Sequence, residues 1–126
     1  IESFKKKAEA FRKAEIYRKN IILTVCPSHI KNQYTIVAQV ADELLNITGI
    51  EASFVVYDTD DGICTVSARS NGNVNVQIIM EELGGGGHFT AAGVQIENKK
   101  AKDVLEDIKK SIDVYFGENE QEQINE

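Results

Sequence analysis

The residues most suited to chemistry are four consecutive glycines, Gly84 to Gly87, followed directly by His88. Glycine loses more conformational entropy on folding than any other residue. A run of it is therefore expected where side chains would block a ligand or where φ must be positive. Successive bare N–H groups can form a concave anion site, and His88 could donate a further hydrogen bond beside them. A helix C-cap is the structural alternative, but it would explain Gly84 alone.

A second group of candidates surrounds Arg69. No other Lys or Arg occurs between Lys31 and Lys99, in a stretch that is otherwise acidic. A guanidinium can bind a phosphate through two parallel hydrogen bonds. Together the two groups predict a phosphate-ester binding site formed by Ser67, Arg69, Ser70, Gly85, Gly86, Gly87, His88, Thr90 and Ala91. Two alternatives stay open: Arg69 could form a surface ion pair, and His88 could cap a helix end.

No catalytic centre can be assembled from the sequence. Metal-dependent hydrolysis of a phosphodiester needs clustered Asp, Glu and His ligands, and the chain has only two histidines. No Lys-Ser or Lys-Thr follows the glycines as in a Walker loop. The acidic turn at 58–62 is too short for a calcium loop. We therefore predict no catalytic and no metal-binding residue in this chain, which makes it a binding module or half of an active site.

The composition limits the classes of protein that the chain can belong to. Its 126 residues fit one domain. The net charge of −6 argues against binding nucleic acid through general electrostatics. No apolar run reaches the length of a membrane span, so we expect no direct membrane contact. The two cysteines indicate reduced core residues. The sequence does not begin with Met, and we expect it to be a piece of a longer protein.

The hydrophobic pattern predicts helices alternating with strands. The expected helices are 2–18, 32–47, 73–83 and 101–116, and the expected strands are 21–26, 53–57, 63–68 and 94–96. After the first helix the order is β-α-β-β-α-β-α. This order predicts an α/β (α+β) fold in which a small, mixed, twisted sheet with a split βαβ arrangement carries packed helices. The expected domains are a linker helix at 1–19, a globular domain at 20–117 and a disordered acidic tail at 118–126.

The glycine-histidine segment resembles the GGGH-x-x-A-A-G signature of the DHH-associated substrate-binding domain, which follows the catalytic domain in DHH phosphoesterases. Residues 67–70, Ser-Ala-Arg-Ser, resemble that family's upstream S-x-R-S element. The resemblance covers about residues 14–97. The four-glycine form is most similar to the cyclic-di-AMP phosphodiesterases of the GdpP type, as are the segments at 42–45, 52–55 and 75–77.

The resemblance implies a function that the residues alone do not give. The upstream catalytic domain of the same chain would hold manganese ions, while the present domain grips the phosphates and base of a cyclic dinucleotide. The parent would be a cytoplasmic enzyme, membrane-anchored elsewhere, and a homodimer is compatible with the family. Two alternatives stay open. One is a phosphodiesterase of short oligonucleotides, such as a nanoRNase or a RecJ-like exonuclease. The other is a non-enzymatic RNA-binding module, for which only helix 2–18 has a basic face.

Overall fold

The computed structural model describes the backbone of residues 1–125 and the side chains of residues 1–117. Within that part of the chain, four helices and six strands follow one another. They are α1 (Glu2–Arg12), β1 (Glu15–Tyr17), β2 (Ile21–Val25), α2 (Gln33–Leu45), β3 (Ala52–Asp58), β4 (Cys64–Ser70), α3 (Val76–Glu82), β5 (Gly86–His88), β6 (Ala91–Ile96) and α4 (Ala101–Asn125).

The six strands form one mixed sheet in the order β1-β2-β3-β4-β6-β5. β2 and β3 are parallel and are joined through α2, whereas every other neighbouring pair is antiparallel. A parallel pair needs a crossover connection, and α2 supplies it. The predicted fold class, a small mixed sheet with helices packed on it, is confirmed.

Two hydrophobic clusters cover the two faces of the sheet unequally. The larger cluster joins β2, β3, β4 and β6 to α3 and α4. The smaller cluster joins β2 and β3 to α1 and α2, and β4 and β6 contribute no member to it. β4 alternates strictly between fully buried and partly exposed residues. One face of β4, β6 and β5 is therefore left uncovered beside α2.

The predicted linker helix is wrong beyond residue 12. Residues 15–17 form β1, which pairs with β2 in a hairpin whose connection has positive φ at Arg18 and Lys19. Tertiary contacts favour the strand over a continued helix: the hydroxyl of Tyr17 donates to Oδ2 of Asp113 at 2.8 Å. α1 itself is packed on the domain: Ala10 is fully buried, and Lys6 donates to the carbonyl of Ser28 at 3.0 Å.

The second half of the glycine run is a strand and not a loop. β5 pairs with β6, and β6 begins at Ala91, three residues before the predicted strand. Glycine is depleted in strands, so local propensity gives no sign of this pairing. The backbone of α4 is helical to Asn125, past the predicted end at 116. The predicted disordered tail, 118–126, lies outside the residues whose side chains are described.

Candidate functional site

An open cleft of about 800 Å³ occupies the uncovered face of β4, β6 and β5. The start of α2 and the end of β3 form its wall on one side. Six of the nine predicted site residues line it, namely Ser67, Arg69, Gly85, Gly86, Gly87 and Ala91. The structure thus brings together the two sequence groups, which are separated along the chain by α3.

The floor of the cleft is a row of small residues that runs across three strands. Ser67 pairs with Gly93, and Gly93 pairs with Gly86. Residues paired across antiparallel strands point to the same face, so this row presents backbone and a single hydroxymethyl group. A ligand lying on it can approach the main chain closely.

Arg69 lies in the next row of the sheet, together with Ala91 and His88. Its side chain is mostly buried. Nη1 donates to the carbonyl oxygen of Ala68 at 3.0 Å, and Nε lies 3.9 Å from Oδ1 of Asp42. An ion pair at that distance, with an exposed carboxylate, is weak. A guanidinium has five donors, so it can retain these contacts and still bind a phosphate.

His88 does not cap α3. The helix ends at Glu82, and its last carbonyls are satisfied by the N–H groups of Gly84 and Gly85, which donate to Glu81 at 3.0 Å and Met80 at 2.8 Å. Gly84 has φ +91 and is the expected C-cap glycine. His88 is exposed, and its register places it on the same face as Arg69. The N–H of Gly85 is used by the helix and is not free for a ligand.

The glycines of this segment differ in whether the fold requires them. A Cβ at Gly85 would lie 2.2 Å from the carbonyl oxygen of Gly93, and one at Gly87 would lie 2.5 Å from Cα of Ala92. A Cβ at Gly93 would lie 2.6 Å from the carbonyl oxygen of Val66. These three positions exclude a side chain sterically. Gly86 has no positive φ, and a Cβ there would meet no atom within 4 Å. Nothing within the described chain requires glycine at position 86.

Two predicted residues lie away from the cleft, and His88 adjoins it without lining it. Ser70 is buried on the opposite face of β4, where its Oγ accepts from the N–H of Gly72 at 2.9 Å. The expectation that Ser70 adds a hydroxyl to the site is therefore wrong. Successive side chains of a strand point to opposite faces, and Ser70 directly follows Arg69 in β4. Thr90 lies in the exposed turn between β5 and β6, and its carbonyl accepts from Ser70 N at 3.0 Å.

Six residues with polar side chains line the cleft but were not predicted from the sequence: Gln33, Tyr34, Tyr57, Thr59, Thr65 and Gln95. Tyr57, Thr65 and Gln95 form one row across β3, β4 and β6. Counting back in twos from Arg69 along β4 would have reached Thr65. Burial raises the pKa of Tyr57, with a smaller contribution from Tyr34 nearby. Thr65 Oγ1 is buried and has no hydrogen-bond partner among the described residues.

The described part of the chain contains neither a cluster of metal-ligating side chains nor a helix that could span a membrane. No three His, Cys, Asp or Glu side chains there lie close enough together to bind a metal ion. None of its helices is both long and apolar enough to cross a bilayer. Arg69 is the one cationic side chain among the residues that line the cleft. The cleft therefore offers a cation and backbone groups that can bind an anion.

The sequence profile of the DHHA1 domain matches residues 19–118. The chain belongs to the DHHA1 domain family. The match includes every strand of the sheet from β2 onward and the whole cleft. It confirms the resemblance drawn from the glycine-histidine and Ser-Ala-Arg-Ser segments.

Curated relatives share this domain at substantial identity. The chain is 40% identical over 118 residues to the cyclic-di-AMP phosphodiesterase GdpP of Bacillus subtilis, and 34% identical over 118 residues to the cyclic-di-AMP phosphodiesterase PdeA of Listeria monocytogenes. In both cases the match covers 92% of this chain and 18% of the relative. The DHHA1 chain thus spans less than a fifth of the length of these relatives.

Solved structures share the fold at low identity. An exopolyphosphatase-related protein from Bacteroides fragilis superimposes with a TM-score of 0.76 at 15% identity, over 90% of this chain and 34% of that one. A pGpG-specific phosphodiesterase, PggH from Vibrio cholerae, superimposes with a TM-score of 0.61 at 18% identity, over 90% and 39% of the two chains. These likenesses establish the fold of the DHHA1 domain and not its ligand.

Proposed function

We propose that this DHHA1 domain is the substrate-binding part of a DHH-family phosphodiesterase that hydrolyses cyclic-di-AMP. One observation carries the proposal: Arg69 and Gly86 share one open face, separated only by small residues, and nothing inside the domain requires position 86 to be glycine. The identity of 34–40% to phosphodiesterases of this substrate supports the choice of ligand.

In the proposed complex each part of the cleft has a distinct task. The guanidinium of Arg69 binds the oxygens of one phosphate, and partial burial strengthens this interaction relative to a fully solvated pair. The row of Ser67, Gly93 and Gly86 lets the substrate lie against the sheet and exclude water from it. His88, at the end of the row that contains Arg69, donates to the same phosphate group. None of these residues acts as a nucleophile.

The described residues do not fit a metal site, so no hydrolytic step is assigned to them. We propose that an upstream DHH domain of the same protein supplies the metal, expected to be manganese, and the nucleophilic water. The cytoplasmic location and the homodimer implied by the resemblance stay predictions.

A compact substrate suits this cleft better than a long oligonucleotide. Proteins that follow an extended phosphate backbone place several Lys or Arg side chains along it. Here Arg69 is the one cation among the lining residues. A dinucleotide needs few such contacts. The same argument disfavours a non-enzymatic RNA-binding module, because α2 lies between the basic helix α1 and the cleft: Glu43 of α2 pairs with Lys7, and Asp42 lies 3.9 Å from Arg69.

The test compares arginine variants of the full-length enzyme with manganese and cyclic-di-AMP. Arg69→Ala should lower kcat/KM roughly 30- to 700-fold, because a buried charge-assisted contact contributes about 2–4 kcal/mol. Arg69→Lys should recover only part of the activity, since the fork geometry is lost. Arg12→Ala is the matched control, because Arg12 is an exposed arginine on α1.

Three results would contradict the proposal. Near wild-type turnover by Arg69→Ala would show that Arg69 does not bind the substrate and forms only a surface ion pair. An equal loss in Arg12→Ala would point to a general charge effect. Faster cleavage of linear oligonucleotides than of cyclic-di-AMP by the wild-type enzyme would favour the oligonucleotide alternative.

A further inference from the structure

Among the described residues, Arg69 has one carboxylate within ion-pair distance, and it comes from α2. Oδ1 of Asp42 lies 3.9 Å from Nε of Arg69. Arg69 is also the one charged side chain among the residues that line the cleft. His88, in the same row of the sheet, adds a charge only when it is protonated. The fixed charges beside the phosphate-binding group are therefore one positive and one negative.

The carboxylate of Asp42 keeps its charge and its freedom beside Arg69. Its side chain is 67% exposed and its distance to Nε is too long for a hydrogen bond. One donor of Nη1 is used by the carbonyl oxygen of Ala68, which leaves the donors of Nη2 for a ligand. A phosphate binds within about 3 Å of guanidinium nitrogens, so it would lie roughly 5–8 Å from the carboxylate. At that distance the two anions repel each other appreciably.

We propose that Asp42 shifts the selectivity of the Arg69 site toward phosphodiesters and away from terminal phosphomonoesters. The inference rests on the proposed function and concerns a residue outside the binding groups named there. A phosphodiester carries one negative charge, whereas a phosphomonoester carries nearly two above neutral pH. Arg69 alone would attract the doubly charged group more strongly. Asp42 repels that group more strongly as well, and so offsets the preference.

These two kinds of phosphate are those of the substrate and of its product. Hydrolysis of one ester bond of a cyclic dinucleotide consumes one water, breaks one P–O bond and forms one new P–O bond. The linear product has a free hydroxyl at one end and a phosphomonoester at the other, while its second phosphate is still a diester. Without Asp42, the new terminal phosphate would compete with substrate for Arg69. The carboxylate thus favours release of the product.

α2 supplies a matched control in the next residue. Glu43 pairs with Lys7 of α1, with Oε1 2.8 Å from Nζ, and not with Arg69. Asp42→Asn and Glu43→Gln each remove one negative charge at nearly constant shape. Both side chains are more than half exposed, so neither substitution should move the melting temperature appreciably.

The test measures the dissociation constants of the full-length protein for two linear di-adenylates at about pH 8, without added metal. One carries a terminal 5′-phosphate, and the other carries its methyl ester, which has one negative charge fewer. Asp42→Asn should tighten binding of the phosphomonoester roughly threefold to tenfold more than binding of the methyl ester. This excess should vanish in about 1 M salt. Glu43→Gln should change both dissociation constants by the same factor.

Turnover gives a second readout. With manganese and cyclic-di-AMP, Asp42→Asn should lower the inhibition constant of the 5′-phosphorylated linear product by a larger factor than it lowers KM. Equal changes for the two linear ligands in Asp42→Asn overturn the proposal, as does the same discrimination in Glu43→Gln. Weaker binding of both ligands in Asp42→Asn also overturns it, because Asp42 would then orient Arg69 and not select between anions.

Arg69→Ala in the same series separates this inference from the proposed function. If Arg69→Ala loses affinity for cyclic-di-AMP while Asp42→Asn does not discriminate between the linear ligands, the proposed function survives and the selectivity falls. If Arg69→Ala binds all three ligands as wild type does, both fall together.

Discussion

Adding a methyl group at two neighbouring glycines of β5 should separate binding from stability. Gly86 and Gly87 are adjacent in sequence and both line the cleft. A Cβ at Gly86 would meet no atom within 4 Å, whereas one at Gly87 would lie 2.5 Å from Cα of Ala92 and 2.6 Å from the carbonyl oxygen of Ala91. Gly87 also has φ +141, a conformation that an L-residue rarely adopts.

The expected stability changes follow from this geometry. Overpacking costs about 1–3 kcal/mol and an unfavourable φ costs about as much again, so Gly87→Ala should destabilise the domain by about 2–6 kcal/mol. That is a large share of the 5–15 kcal/mol typical of a domain. Gly86→Ala should shift the free energy of unfolding by less than about 0.5 kcal/mol, because it creates no contact and no strain.

At Gly86 we expect a large loss of substrate affinity, although the expected change in stability is small. A methyl group added at Gly86, in the row of Ser67, Gly93 and Gly86, would occupy space that the ligand needs in order to lie against the sheet. Gly86→Ala should therefore raise the KM for cyclic-di-AMP at least tenfold, a loss of about 1.4 kcal/mol. The assay is denaturant unfolding of the domain paired with turnover of the full-length enzyme. Gly117→Ala is the matched control, because Gly117 also has no positive φ and no atom within 4 Å of an added Cβ.

Proportional losses would refute the reasoning. If Gly86→Ala lowered stability and activity together, as Gly87→Ala does, the glycines of β5 would be structural. If Gly86→Ala changed neither, the ligand would lie elsewhere on the domain.

The remaining predictions concern His88, the two cysteines and metal. His88→Ala should weaken substrate binding without changing the melting temperature, because His88 is exposed in the row that contains Arg69; unchanged kinetics would exclude it from the site. Burial raises the pKa of the Cys26 and Cys64 thiols from an ordinary value near 9 to about 11. The folded state therefore holds these protons more tightly, and the stability tied to the neutral thiols is complete below about pH 9 and lost as the pH rises through 11. Alkaline unfolding should be shallower in Cys26→Ala than in wild type, and parallel curves would contradict the assignment. The isolated 126-residue chain should not hydrolyse cyclic-di-AMP with added manganese; metal-dependent turnover by the pure chain would refute this.

Most of the sheet could be predicted from the sequence because periodicity and turn residues agree there. β3 and β4 are joined through a turn containing Asp61-Gly62, and α2 has a clear apolar stripe. β1 could not be predicted, because no Gly or Pro separates its three residues from α1 and they are held as a strand by pairing with β2. β5 could not be predicted either, since two of its three residues are glycines with no strand preference of their own.

Residue type identified candidate residues that line the cleft, whereas the direction in which each side chain points could not be predicted from it. Arg69 and the glycines stood out because of composition alone. Ser70 was included for its hydroxyl, although alternation along a strand places it opposite Arg69. Tyr34 and Gln95 are common residues with no local signal, and only the register of β4 with β3 and β6 and the position of α2 bring them to the cleft.

β4 serves the core and the cleft on alternate residues, and this has an evolutionary consequence. Cys64, Val66 and Ala68 face the larger hydrophobic cluster, while Thr65, Ser67 and Arg69 line the cleft. Substitutions at the cleft positions can change ligand preference with little effect on the core, so specificity and stability can be selected separately. An inserted or deleted residue within β4 would exchange the two sets and bury Arg69. Divergence in this strand should therefore proceed by substitution, with changes of length confined to the turn between Thr59 and Ile63.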